Sequence, residues 1–167
     1  CHVSTPESVK RIEFAKRESK VKITCGVTPH HCLLSYDLLL NTYIHSPDNA
    51  DLLYKVNPPL RSNASAESML ELLKQGKIDW IETDHAPHTL KEKLDPPYMS
   101  GFPGLPFYPH FIKYLRANNF SDEQIRNLTH KNICTTFNID LPERNQAPNM
   151  NLHNEYEVDV YRGMRTK

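Results

Sequence analysis

Apolar side chains recur along the chain with two periods, and the two periods alternate. After Thr5, which can cap a helix that begins at Pro6, apolar residues recur at helical spacing for about three turns. The stretch VKITCGVT (21–28) instead alternates apolar and polar residues, which predicts a strand that ends at Pro29. The first four residues, CHVS, have the composition of the end of an earlier strand.

The middle of the chain repeats this order. The run LLYKV (52–56) predicts a short strand, and residues 64–75 have the apolar spacing of a helix that Gly76 ends. The run IDWIET (78–83) predicts a further strand. A polar connection at 45–51 separates the first strand from the second.

The last third of the chain is predicted to be a long loop followed by helices. The loop, at 90–106, is rich in proline and glycine, which is typical of a functional loop. Helices are predicted at 108–117 and 122–136, the second opened by Ser121 with Gln124 three residues later. The tail beyond residue 140 is polar, with one further strand predicted at 156–161.

Strands that alternate with helices favour an α/β fold with parallel pairing and right-handed crossovers. Polar side chains stand where these predicted strands end, and all of them are imidazoles or carboxylates. A histidine at a strand end is, taken singly, more often a hydrogen-bonded structural group. Taken together, such side chains are the ligands that zinc and similar divalent ions prefer, which indicates a metal-assisted hydrolase. These residues are His2, His31, Asp84, His85 and His88.

Two further stretches predict a substrate site. KVNPPLRS (55–62) ends with an amide at Asn57 and a cation at Arg61, and SGFPGLPF (100–107) offers backbone N–H groups in a tight turn. The alternative for Arg61 is a surface salt bridge, and the alternative for the glycine-containing stretch is an ordinary turn.

Composition narrows the class of protein. The 167 residues suit one ordinary domain with its own core. A net charge of zero and a pI of about 7.3 predict neither a nucleic-acid surface nor an anionic-membrane surface, and the apolar runs are too short to span a bilayer. Four cysteines without CxxC spacing favour reduced thiols and a cytoplasmic location.

Five motifs occur in one order: CHVSTPES, VTPHH, KVNPPLRS, TDHAPHTLKEK and SGFPGL. In this order they resemble the C-terminal half of a dihydroorotase, a family within the amidohydrolase superfamily of (β/α)8 TIM-type barrels. The resemblance implies that residues 1–140 form the end of strand 6 through strand 8 and the following helices, so that the barrel is incomplete in this chain. Residues 141–167 are then a polar C-terminal tail.

The resemblance also implies a reaction and a site. The reaction is the reversible interconversion of N-carbamoyl-L-aspartate and L-dihydroorotate in de novo pyrimidine biosynthesis, with one or two zinc ions. It makes His2 and Asp84 metal ligands, with Asp84 also carrying the proton to the leaving ring nitrogen. Asn57 and His88 then hold the substrate, and the backbone of Pro103 and Gly104 contacts its ring. Around these ligands and contacts lie four supporting residues: His30, His31, His85 and Arg61.

In such barrels the other metal ligands come from strands 1 to 5, which this chain does not contain. We therefore predict that the chain is a fragment and is inactive alone. Two alternatives stay open: a cyclic amidase of the allantoinase or hydantoinase kind, and a non-catalytic dihydroorotase-like subunit that scaffolds aspartate transcarbamoylase. Retention of Asp84, Asn57 and His88 favours a catalytic protein. The resemblance leaves open a homo-oligomer or an association with aspartate transcarbamoylase.

Overall fold

Helices alternate with short parallel strands in the computed structural model, which describes residues 2–37, 50–143, 156–161 and 164. Two single-turn variants interrupt the α-helices, a 3-10 helix at Leu105–Phe107 and a π-helix at Asn127–Lys131. The regular elements are, in chain order, α1 (Pro6–Glu18), β1 (Gly26–Val27), α2 (Pro29–Leu33), α3 (Ala50–Leu53), α4 (Asn63–Lys74), β2 (Trp80–Ile81), α5 (Leu90–Leu94), α6 (Tyr108–Ala117), α7 (Asp122–Arg126) and α8 (Asn132–Phe137).

The sheet brings the ends of three chain segments side by side. Gly26 and Val27 of β1 pair in parallel with Trp80 and Ile81 of β2. Gly26 also forms a parallel bridge with His2. The predicted parallel pairing is therefore confirmed, and β1 lies between the segment of His2 and β2.

The strand predicted at 21–28 is shorter in the structure than in the sequence pattern. Only Gly26 and Val27 pair as a strand. The N–H of Cys25 donates instead to the carboxylate of Asp79 at 2.8 Å, and the Asp79 N–H donates back to the Cys25 carbonyl at 2.9 Å. A side chain thus replaces part of the expected strand ladder.

The predicted helices are confirmed at their ends as well as in their middles. Thr5 caps α1 by accepting a hydrogen bond from the N–H of Ser8 at 3.2 Å. Ser62 caps α4, and Gly76 follows its end with a φ of +72°. Left-handed backbone of this kind stops a helix at low cost when the residue is glycine.

The late helices also follow the prediction. The predicted helix at 108–117 is α6. The helix predicted at 122–136 is built from α7, the π-helix and α8. Ser121 and Gln124 form both bonds of a capping box at its start.

Two predicted strands are wrong. Residues 52–56 form the end of α3 and a turn, in which the N–H of Tyr54 donates to the Asp51 carbonyl at 2.9 Å. A short apolar run fits a helical turn as well as a strand, because periodicity cannot separate the two over so few residues. Residues 156–161 form a bend and a turn, with Val158 and Tyr161 both buried. That three-residue spacing of buried side chains suits a turn, whereas a strand buries every second residue.

The long predicted loop holds more structure than expected. Within 90–106 lie α5, which begins with a capping box between Thr89 and Glu92, and the first residues of the 3-10 helix. Most of the polar connection predicted at 45–51 and much of the tail beyond residue 140 fall outside the described residues, as does Cys1. Among the described helices none is long and apolar enough to cross a bilayer.

The hydrophobic core joins helices to the C-terminal segment. Val9 of α1, Met69 of α4 and Phe111 of α6 are fully buried in it. Tyr161 is fully buried in the same core, with its ring stacked on that of Phe107 at a centroid distance of 4.1 Å. Residues 156–161 therefore pack against the part of the chain that carries the strands.

Candidate active site

Asp84 stands three residues after β2, where its carboxylate meets two imidazoles. Its Oδ2 lies 3.7 Å from Nε2 of His2 and 3.8 Å from Nε2 of His30. Both distances exceed those of a hydrogen bond. The backbone of Asp84 has a φ of +44°, a left-handed conformation that aspartate and asparagine adopt more readily than most residues.

The spacing of these atoms fits shared metal ligation. Two ligand atoms about 2.1 Å from one zinc ion, at a tetrahedral angle, lie about 3.4 Å apart. The His2–Asp84 separation is within a few tenths of an ångström of this value. His30 Nε2 is buried without a hydrogen-bond partner, as expected of an atom that faces a site rather than the core. No group of three or more His, Cys, Asp or Glu side chains in the described ranges forms a complete metal site. His2 and Asp84 therefore fit part of one.

Glu82 holds the other side of the His2 ring. Nδ1 of His2 donates to Oε2 of Glu82 at 3.1 Å, and Oε1 of Glu82 accepts from the indole N–H of Trp80 at 2.8 Å. The bond to Glu82 raises the pKa of His2 above its ordinary value, against the opposing effect of burial. The same bond lowers the pKa of Glu82.

Glu82 was missing from the sequence prediction, although a signal was present. It stands two residues before Asp84, and residues two apart in extended chain point to the same face. Spacing thus groups Glu82 with Asp84, and the structure places both carboxylates beside His2.

His30 is held in a closed aromatic environment. The side chain is fully buried, its Nδ1 lies 3.2 Å from the hydroxyl of Tyr161, and its ring meets that of Phe102 edge-on at 4.9 Å. Burial lowers the pKa of His30 well below its ordinary value, with the charges of His31 and His2 acting in the same direction. The ring is therefore neutral and keeps a lone pair. Tyr161 is 131 positions away along the chain, and no local pattern could have paired it with His30.

His31 has both ring nitrogens satisfied. Nε2 donates to the Pro58 carbonyl at 3.0 Å, so Nδ1 is the acceptor for the Thr28 hydroxyl at 2.8 Å. Burial lowers the pKa of His31 to about 4. Its role in the structure is to tie the end of β1 to the Asn57–Pro58 segment, and its ring stacks beside that of His2 at 5.8 Å.

The residues predicted to bind substrate meet at Ser100. The side-chain amide of Asn57 donates to the Ser100 hydroxyl at 3.2 Å, and Nε2 of His88 donates to the Ser100 carbonyl at 3.1 Å. Residues 43 and 12 positions before Ser100 thus converge on it. Ser100 itself was not singled out in the sequence.

The SGFPG turn packs directly against the backbone before Asp84. Pro103 and Gly104 are both buried. A Cβ atom at Gly104 would lie 2.0 Å from the carbonyl oxygen of Thr83, so only glycine permits this approach. The N–H of Leu105 donates to Nδ1 of His85 at 3.2 Å, and the other ring nitrogen of His85 lies 3.2 Å from the Tyr156 hydroxyl. His85 thus joins this turn to the C-terminal segment.

Arg61 lies beside the segment that carries His2. Its guanidinium donates to the Ser4 hydroxyl through Nε at 3.2 Å and through a terminal nitrogen at 3.1 Å. Ser4 is buried and follows His2 by two residues. Arg61 therefore supports the position of the His2 backbone.

A buried lysine joins the two loops that carry Asn57 and Ser100. Lys93 is fully buried, and its ammonium donates to the carbonyls of Lys55 at 2.9 Å and Gly101 at 2.8 Å. These carbonyls stand next to the segments of Asn57 and Ser100. Burial, with a smaller effect of the Lys55 charge, lowers the pKa of Lys93 to about 8.

The lowered pKa of Lys93 makes the free energy of unfolding depend on pH. The unfolded side chain takes up its proton near pH 10.5, whereas the buried one takes it up near pH 8. The free energy of unfolding should therefore fall as the pH is lowered through this window, by about 3 kcal/mol from this group. In urea unfolding, wild type should have a lower free energy of unfolding at pH 8 than at pH 10.5. This difference should be absent in Lys93→Met. The exposed Lys91→Met is the control. Parallel pH curves for wild type and Lys93→Met would contradict the assignment.

Two curated proteins similar to this chain are dihydroorotases. A dihydroorotase from Staphylococcus aureus is 41% identical over 149 residues, which cover 84% of this chain and 32% of that protein. A dihydroorotase from Staphylococcus epidermidis is 40% identical over 148 residues, which cover 83% and 32%. The chain is therefore similar to dihydroorotases over more than four fifths of its own length. It spans about a third of the length of these curated dihydroorotases. No protein-family model matches the chain.

Solved structures agree on the fold. A D-hydantoinase from Thermus sp. superposes with a TM-score of 0.67 at 21% identity, covering 81% of this chain and 30% of that one. A dihydroorotase from Saccharomyces cerevisiae, solved with 5-fluoroorotic acid, gives a TM-score of 0.67 at 16% identity, with 83% and 37% covered. The mixed helix and sheet fold of this chain is thus shared with part of these hydantoinase and dihydroorotase structures.

Proposed function

We propose that this chain supplies one part of the active site of a metal-dependent dihydroorotase. The reaction is the reversible interconversion of N-carbamoyl-L-aspartate and L-dihydroorotate, in cytoplasmic pyrimidine biosynthesis. The observation that carries the proposal is the convergence of His2 Nε2 and Asp84 Oδ2 at 3.7 Å in a chain 41% identical to dihydroorotases.

In this proposal residues 1–140 are the end of barrel strand 6 through strand 8 with the helices that follow, and residues 141–167 are a C-terminal segment. The parallel order of the His2 segment, β1 and β2 supports this assignment. The remaining strands and ligands belong to sequence outside these 167 residues. The chain alone is then expected to show no turnover.

His2 and Asp84 would hold a divalent ion, with zinc the metal that suits imidazole and carboxylate ligands. When bound, such an ion lowers the pKa of water and polarises the amide carbonyl. His2 presents Nε2 to this place because its Nδ1 is held by Glu82. His30 closes the site from the core side and excludes water from it.

Asp84 is the group that moves the proton. As the water oxygen adds to the ring amide carbon, Asp84 takes a proton from that water. The C–N bond then breaks, and Asp84 gives the proton to the leaving nitrogen. The ring closure that forms dihydroorotate uses the same steps in reverse. A carboxylate held at the end of a strand can serve both directions because it returns to its charged state after each turnover.

Asn57 and His88 would bind the substrate from the side of Ser100. In the structure, side-chain N–H groups of Asn57 and His88 donate hydrogen bonds to Ser100. Such donors also suit the carbonyl and carboxylate oxygens of the substrate. Lys93 holds the two backbone segments that carry Asn57 and Ser100 in register.

A chimera tests the proposal. The part of Staphylococcus aureus dihydroorotase that precedes the matched region would be joined to this chain and expressed in bacteria that lack dihydroorotase. We expect growth without added pyrimidine and zinc-dependent hydrolysis of dihydroorotate by the purified chimera. The 167-residue chain expressed alone is the control and should support neither.

The same chimera separates the alternatives. Turnover of hydantoin or allantoin in place of dihydroorotate would favour the neighbouring cyclic amidases. A folded, zinc-binding chimera without turnover of any of them would overturn the catalytic proposal and favour a scaffold subunit. Sedimentation of the chimera with and without aspartate transcarbamoylase tests the predicted association with that enzyme or with a second copy of the chain.

A further inference from the structure

Glu82 reaches His2 across an intervening strand. The His2 segment and β2 are both parallel neighbours of Gly26, so β1 separates them. Adjacent strands lie about 4.8 Å apart, which puts these two backbones roughly 10 Å from each other. Side chains on them can meet only by passing over β1.

The residue beneath this contact is a glycine. A Cβ atom at Gly26 would lie 2.1 Å from Oε1 of Glu82 and 2.5 Å from Nε1 of Trp80. The space above Gly26 is thus filled by the Glu82 carboxylate itself. Any side chain at position 26 would push Glu82 away from His2.

Both oxygens of Glu82 are committed. Oε1 accepts the Trp80 indole N–H at 2.8 Å, and Oε2 accepts the Nδ1–H of His2 at 3.1 Å. A carboxylate fixed by two donors cannot rotate freely, so the His2 ring is held in one orientation. The proton on Nδ1 leaves the lone pair of Nε2 directed to the side of Asp84.

We propose that Glu82 is a positioning residue that fixes the tautomer and orientation of His2 for metal binding. A histidine ligand commonly donates its second N–H to a carboxylate, which strengthens the ligand and holds its ring. Glu82 would act through His2 and would not itself ligate the metal. This inference rests on the proposed function, because it takes His2 to be a ligand.

Two variants of the chimera test this role. Glu82→Ala removes the acceptor, and Glu82→Gln keeps an oxygen acceptor without the charge. Glu7→Gln, an exposed glutamate on α1, is the matched control. The first measurement is the tautomer of His2 in zinc-free protein, read from its ring ¹⁵N shifts at a pH where the ring is neutral.

We expect the Nδ1–H form in the unmodified chimera and in Glu7→Gln, and a mixture weighted to Nε2–H in Glu82→Ala. The second measurement is zinc affinity, followed by the same ring resonances during titration. Removal of such a carboxylate should weaken zinc binding about 10- to 100-fold, with Glu82→Gln between the unmodified chimera and Glu82→Ala.

The outcomes separate this inference from the proposed function. An unchanged tautomer in Glu82→Ala, or equal zinc affinities for the unmodified chimera and Glu82→Ala, would overturn the role of Glu82 while leaving His2 as a ligand. Zinc that leaves the His2 and Asp84 resonances of the unmodified chimera unmoved up to millimolar concentration would overturn both. A changed tautomer together with graded zinc affinities supports both.

Discussion

Replacing Asp84 by Asn in the chimera is expected to lower the rate of dihydroorotate hydrolysis by about 10³- to 10⁴-fold. The amide cannot accept the proton of the attacking water or return it to the leaving nitrogen. It is also a weaker ligand than the carboxylate that lies 3.7 Å from His2 Nε2. Both losses act on the reaction, so the effect should appear in kcat as well as in zinc content.

Asparagine is the informative replacement because of the backbone at Asp84. Its φ of +44° suits asparagine nearly as well as aspartate, whereas a residue such as alanine would add strain. The variant should therefore unfold at nearly the same urea concentration as the unmodified chimera. Asp95→Asn, at an exposed carboxylate beyond α5, is the control and should keep full activity. Turnover within tenfold of the unmodified chimera for Asp84→Asn would exclude Asp84 as the proton carrier.

The helices were predictable because local chemistry sets their ends. Thr5 and Ser121 each bond an N–H of their own first turn, and Gly76 ends α4 with a left-handed residue. These contacts span two to four residues, so a sequence window contains both partners. The start of α6 at Tyr108 was also predicted correctly, although no side chain caps it.

The strands were less predictable because their partners are distant in sequence. Apolar alternation at 21–28 gave the correct place for β1 but not its length, which the Asp79 carboxylate limits from 54 residues away. The run at 52–56 has the residues of a strand, yet local bonds close it into α3 and a turn. The local sequence pattern alone could not decide between a strand and another structure at these positions.

The residues of the candidate site were also predictable only in part. The strand-end rule found His2 and Asp84, which the sheet brings to one place. It could not predict that Tyr161 contacts His30, because Tyr161 lies in a turn 131 residues later in the chain. The contact between Glu82 and His2 requires that position 26 carries no side chain. This requirement is apparent only when the order of the strands is known.

Replacing Gly104 by Ala is expected to destabilise the chimera by about 3 kcal/mol, the upper range for overpacking a buried position. The new Cβ would lie 2.0 Å from the Thr83 carbonyl oxygen, and a backbone atom cannot move aside as a side chain can. Because Thr83 precedes Asp84, the shift that relieves this clash should also displace the Asp84 carboxylate. The φ of Gly104 is −76°, which any residue adopts, so the whole cost is steric.

Gly76→Ala provides the comparison that identifies this cause. Gly76 has a φ of +72° and no atom within 4 Å of the added Cβ, so its replacement costs only the left-handed backbone, about 1 kcal/mol. Urea unfolding should therefore rank Gly104→Ala well below Gly76→Ala in stability, and only Gly104→Ala should lose dihydroorotase activity. Equal stabilities, or an active Gly104→Ala chimera, would mean that the SGFPG turn can move away from Thr83 without disturbing Asp84. The tight approach of this turn would then be a packing feature with no part in placing the carboxylate.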